Sequence, residues 1–193
     1  FSPAQMADAF DITRVSANPA RFDLKKCTAI NGDWIRTLSA EELATRMLPY
    51  LQRAGLVEQP PTAAQLATLA AAMPLVQERM ETLGQAPGMV GFLLVADEQF
   101  AIEDPASVAD EQSQAVLSAA LDALEPVGEW TSENIEAALR AALIESMGLK
   151  PKVAFSAVRT AVTGRRVSPP LFESMAILGR ESSLARLRGA RTG

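Results

Sequence analysis

The chain has 193 residues, 48% hydrophobic and 5% aromatic, with a formal net charge of −5 and no histidine. That length supports one large core or two small ones. Cys27 is the single cysteine, which excludes an intrachain disulfide, and the longest apolar run, Met89 to Ala96, is too short to span a bilayer. A reduced, cytoplasmic setting without membrane attachment is therefore expected. Nothing at the start resembles a signal peptide, and the chain begins at Phe1 rather than Met, so it is expected to be a piece of something longer.

Abundant Ala and Leu favour helices over strands throughout. Ser39-Ala-Glu-Glu42 fits a capping box with Leu38 and Leu43 as its hydrophobic staple, and Gly55 sits where that helix would end. Thr62-Ala-Ala-Gln65 opens a second helix, which Pro74 is expected to kink or restart before Val76 to Leu83. Glycines from Gly84 to Gly91 then separate it from a short apolar helix, and an amphipathic segment from about Ser107 to Leu124 follows. Thr131 caps a helix that runs to Gly148, with Trp130 placed to staple onto Ile135. The acidic pairs Glu41-Glu42 and Asp110-Glu111 fall in first turns, where the helix dipole accounts for them.

From Gly148 onward the chain carries nine basic and two acidic residues, +9 − 2 = +7, which leaves −5 − 7 = −12 for the remainder. An acidic body with a basic head fits either a polyanion partner at that end or a merely solvated tail. In the head, Val153, Ala157, Val158, Ala161 and Val162 form one helical stripe that Gly164 can end, which leaves Arg159 facing outward. Ser168 is expected as N-cap and Pro169 as first helical residue, with Val167 stapling onto Phe172; Gly179 ends that helix. A last helix should turn Leu184 and Leu187 inward and leave Arg186 and Arg188 exposed.

The stretch TGRRVSPPLF, Thr163 to Phe172, gathers these features. Pro169 and Pro170 have no N–H to offer a phosphate, so the turn is poor at cradling one and suited to presenting an apolar surface beside guanidinium groups. Unpaired bases are recognised by surfaces of that kind. A proline-rich helix start that only turns the chain is the other reading.

The run LKPKVAFSAVRTAVTGRRVSPPLFESMAILGRESSLARLRGA resembles the carboxy-terminal end of bacterial glutamyl-tRNA synthetases, with their Leu-Arg-x-Ala-Leu-Thr-Gly, Ser/Thr-Pro-x-Leu-Phe-Glu and Leu-Gly-x-Glu series. NPARFDLKKCTAINGDWIRTLS is similar to the segment that follows the catalytic domain in that family, and VQERMETL and EWTSENIEAALRAAL match more weakly between them. Cys27 and Ile30 stand where the family usually has Leu.

The resemblance implies an all-α anticodon-binding region of two packed helical subdomains. A proximal one, residues 1–105, would lie against the tRNA stem, and a distal one, residues 106–193, at the anticodon loop. Carried over position by position, Arg159 matches the family's Arg of the Leu-Arg-x-Ala-Leu-Thr-Gly series, and Ser168, Pro169 and Leu171 match its Ser/Thr-Pro-x-Leu turn, positions that approach anticodon bases. Arg79 matches an Arg associated with the third anticodon base, which leans toward a glutamate-only reader. Lys152, Arg165, Arg166 and Arg180 are candidate phosphate contacts. The implied partners are tRNA(Glu) and the enzyme's own amino-terminal catalytic domain, with a monomer expected.

The His-Ile-Gly-His and Lys-Met-Ser-Lys-Ser type motifs of a class I Rossmann-like domain are absent, as are a P-loop, a G-x-G-x-x-G turn and any Cys/His cluster for zinc. No catalytic residue or metal ligand is therefore assigned, and ATP, glutamate and magnesium are expected only in the catalytic domain of a parent ligase. A helical protein-interaction module, or the helical domain of another class I synthetase such as the lysyl enzyme, would share part of this pattern.

Overall fold

The computed structural model describes residues 2–16 and 21–191; Asn18, Pro19 and Ala20, which open the NPARFDLKK segment, lie outside the described residues. The described residues are helical or irregular, without a strand. Helix α1 (Pro3–Ala9) is capped by Ser2 and Gln5 and buries no side chain. Helix α2 (Leu24–Arg36) starts at Asp23, whose carboxylate accepts from the Lys26 N–H at 3.1 Å, and buries only Gly32 and Ile35.

The first core forms around α3 (Ala40–Arg53) and α4 (Ala63–Val76). Ser39 caps α3 by accepting from the Glu42 N–H at 3.1 Å, and Leu43, Met47 and Leu51 recur every four residues on its buried face. Gly55 follows in the left-handed conformation, φ 71°. Thr62 and Gln65 form the full capping box of α4, whose Leu69, Ala72, Met73 and Val76 face α3. The helix passes through Pro74 and ends at Val76, so the expected Val76–Leu83 helix gives way to one 3-10 turn, Gln77–Arg79. Two side chains account for this. Gln77 is drawn off to donate to the Ile35 and Leu38 carbonyls, and Gln85 accepts from the Glu81 and Thr82 N–H groups, which begins a new turn. The short helix α5 (Ala86–Val90) then lies within the glycine stretch rather than after it.

The second core is built by α6 (Glu111–Leu124), α7 (Ser132–Leu139), α8 (Pro151–Thr163), α9 (Leu171–Leu178) and α10 (Arg180–Ala190). Thr131 caps α7, which widens into π turns over Arg140–Ser146 and stops at Gly148, φ 67°. This keeps Ile135, Leu139 and Leu143 on one buried line. Trp130 has a structural role: its Nε1–H donates to the Met175 carbonyl at 3.0 Å and its ring packs on the core. In α8 the buried stripe begins at Ala154; Val153, expected inside, is exposed. Gly164 ends α8 at φ 78°.

Three expectations in the head are corrected. Helix α9 starts at Leu171, two residues later than expected, so Ser168 and Pro169 belong to the preceding turn and not to the helix. Val167 is 84% exposed and staples nothing; Phe172 instead meets Phe155 edge-on, with ring centroids 5.2 Å apart. Arg186, expected outside, is only 4% exposed. Its guanidinium ion-pairs with Asp97 at 2.8 Å and donates to the carbonyls of Phe92, Val95 and Val162, over the face of Phe100. Those partners lie in the turns between the cores and at the end of α8, so Arg186 fastens the connection to the second core. Contacts between α4 and α9, with Ile177 packed on the first core, complete the seam.

Candidate nucleic-acid interface

The basic head is far less free than its charge count suggests. Arg165 pairs with Glu103, Arg166 with Asp104 at 3.5 Å, Arg186 with Asp97 and Arg188 with Glu125 at 2.7 Å. Each acidic partner comes from the acidic part of the sequence, so tertiary contacts partly cancel the charge split. Arg180 is also occupied: it donates to the Glu125 and Val127 carbonyls beyond the end of α6 and lies 6.0 Å from the Trp130 ring centroid. Arg165 further donates to the Gly88 carbonyl at 3.0 Å. Among the expected phosphate contacts, Arg165 and Arg180 thus do internal work, whereas Lys152 and Arg166 line a surface groove.

That groove, about 370 Å³, is bounded by Pro151, Lys152, Phe155, Ser156, Arg159 and Arg166. Lys152, Phe155 and Arg159 fall three and four residues apart along α8, which puts them on one face, with Ser156 next to Phe155 and four residues after Lys152. Arg159 is half-buried rather than fully outward: its Nη1 donates to Ser168 Oγ at 2.7 Å and to the Pro169 carbonyl at 2.9 Å. Ser168 therefore positions the guanidinium instead of capping a helix. Burial pushes the Arg159 pKa down, the nearby Arg79 charge pushes it further, and Glu173 opposes both. Arg79, exposed at the end of its 3-10 turn, thus belongs with Arg159 although 80 residues separate them in sequence (159 − 79 = 80). Among the described residues, no carboxylate ion-pairs with Arg79, Arg159 or Lys152.

Pro169 is buried and Leu171 is 3% exposed in the second core, so neither presents the apolar surface expected of them. Pro169 contributes its carbonyl, and Leu171 anchors the turn. Phe155 and Ser156 in the groove were missed by sequence reasoning. The signal was their place between Lys152 and Arg159 at helical spacing. Arg140, whose guanidinium carbon lies 5.8 Å from the Phe155 ring centroid, had no local signal.

The described residues form a helical body of two cores with a basic groove beside Phe155, and solved structures share the helical fold. The glutamate tRNA ligase from Elizabethkingia meningosepticum aligns with a TM-score of 0.75 at 18% identity, over 97% of this chain and 36% of that one. The glutamate-tRNA synthetase from Elizabethkingia anophelis gives 0.72 at 19% identity, over 97% of this chain and 35% of that one. The chain belongs to the anticodon binding domain family, whose pattern matches residues 42–191. Glutamate--tRNA ligases from Kineococcus radiotolerans and Paenarthrobacter aurescens are 58% and 54% identical to it over 99% of its length. The chain spans 38% of the length of these relatives. Among the described residues no helix is long and apolar enough to cross a membrane, and no His, Cys, Asp or Glu cluster could hold a metal ion.

Proposed function

We propose that this chain is the anticodon-binding portion of a glutamate--tRNA ligase. It holds the anticodon loop of tRNA(Glu) and orients the tRNA for ATP-dependent glutamylation by a catalytic domain elsewhere in the protein. Glutamate, ATP and magnesium belong to that domain, and the protein works as a cytoplasmic monomer. Residues 1–105 face the tRNA stem and residues 106–193 the loop. One observation carries the reading: Arg159, held by Ser168 and the Pro169 carbonyl and without an ion-paired carboxylate among the described residues, lines a groove together with Lys152 and Phe155, near enough to Arg79 to feel its charge.

In this arrangement Arg159 and Arg79 donate to base edges, and Ser168 holds Arg159 in place. Pro169 and Leu171 shape the turn, while Lys152 and Arg166 meet phosphates. A bidentate arginine contact discriminates between bases by about 1–3 kcal/mol. Removing Arg159 should therefore lose most of the preference for the cognate loop.

The test is a fluorescence titration with a tRNA(Glu) anticodon stem-loop and with a loop carrying three changed anticodon bases, at low and moderate salt. Preference for the cognate loop that disappears in Arg159→Ala supports the reading. Equal, purely salt-dependent binding of both loops refutes it and leaves a general polyanion surface.

A further inference from the structure

Phe155 has two different surroundings. It packs against the second core with Phe172, ring centroids 5.2 Å apart, and it also lines the groove. Core packing accounts for the first and says nothing of the second. On the groove side, Lys152 stands one helical turn before the ring and Arg159 one turn after it. Arg140 lies 5.8 Å from the ring centroid, steered there by a 2.6 Å ion pair with Glu136 at the point where α7 opens into π turns. An aromatic side chain flanked by Lys152 and Arg159, neither of which ion-pairs with a carboxylate among the described residues, matches the needs of an unpaired nucleotide. The ring stacks on the base, and a cation beside it meets a neighbouring phosphate.

Resting on the anticodon-loop reading above, we propose that Phe155 is the stacking platform for one unpaired base of the bound RNA, with Arg140 bracing the ring and Lys152 taking an adjacent phosphate. This moves the apolar contact from the buried Pro169 and Leu171 to a residue on the exposed side of α8. The site reads no base edge, so it adds affinity and register and leaves base choice to Arg79 and Arg159.

The experiment pairs protein and RNA changes. The anticodon hairpin is titrated against the wild-type chain and Phe155→Leu, which keeps an apolar filler toward Phe172. The hairpin is then made abasic at each loop position in turn. Stacking of one base contributes about 1–3 kcal/mol, or roughly 5- to 150-fold in affinity. One abasic position should weaken wild-type binding by that factor, Phe155→Leu should weaken the intact hairpin comparably, and the two losses should not add. Phe155→Trp should restore binding, and the emission it adds to that of Trp34 and Trp130, taken as the difference from the wild-type chain, should be quenched by the intact hairpin and not by its abasic form.

If Phe155→Leu binds like wild type, or every abasic loss persists unchanged in it, the platform is wrong. Should Phe155→Leu fail to fold, an unquenched indole in folded Phe155→Trp overturns the proposal equally. Cognate preference that depends on Arg159 but ignores Phe155 sinks this inference alone. Absence of any cognate preference in the wild type sinks both it and the reading it rests on.

Discussion

Replacing Arg186 by Met keeps most of the side-chain stem and removes the guanidinium, which isolates what that group does. Its loss strips donors from the Phe92 and Val162 carbonyls, both bonded in buried surroundings at 2.8 and 3.1 Å. A buried acceptor left unpaired costs about 1–3 kcal/mol. The Val95 carbonyl and the Asp97 carboxylate are only part-buried, so water replaces much of what they lose. Against this stands the relief of no longer desolvating a cation, visible in the downward push that burial gives the Arg186 pKa. Breaking one side of a buried pair usually leaves a net loss of about 3–5 kcal/mol. With a urea m-value of about 2 kcal/mol/M, the unfolding midpoint should fall by roughly 1.5–2.5 M. Arg186→Lys should fall nearly as far, because one ammonium cannot reproduce a fork aimed at four acceptors. A loss below about 1 kcal/mol, or a more stable Met variant, would refute the reasoning and show desolvation outweighing the hydrogen bonds.

Other substitutions examine neighbouring parts of the same account. Burial pushes the Asp97 carboxyl up, but hydrogen bonds from Ser182 and Arg186 and the Arg186 charge outweigh it and hold the pKa below its ordinary value. Its stabilising contribution is thus complete above the unfolded-state pKa of about 4 and fades as pH falls through the lower folded value. Urea midpoints between pH 3 and pH 6 should accordingly decline less steeply on acidification in Asp97→Asn than in wild type, a window set by the same unfolded-state value of about 4. Gly164→Ala puts a Cβ 2.8 Å from the Ala101 carbonyl oxygen at φ 78°. It should lower stability by about 1–3 kcal/mol in thermal unfolding, while Gly128→Ala, which meets nothing, serves as the neutral control. Arg180→Ala should lower the melting temperature and leave the salt dependence of RNA binding alone, whereas Lys152→Ala should reduce the salt slope by about 0.7 without destabilising the chain.

The local rules of helix formation act within about four residues, and the sequence by itself settled what depends on them. Ser39, Thr62 and Thr131 cap where expected, and Gly55, Gly148 and Gly164 end helices in the left-handed conformation. The apolar stripes of α3, α4 and α6 are legible for the same reason, as is the absence of strands among the described residues. The fate of each arginine was not legible. Arg186 and Arg188 stand two positions apart in one helix, yet one is buried beneath three carbonyls and the other reaches out to Glu125. Nothing within a helical turn distinguishes them, because the acceptors that solvate Arg186 lie 24 to 94 residues away. The apolar turn at Pro169 and Leu171 was visible, but its burial depended on how α9 sank into the second core. Sequence therefore determined the helices and a basic end. Only tertiary packing decided which cations remain unpaired and which aromatic side chain lines the groove, since burial and charge pairing are set by chain segments distant in sequence.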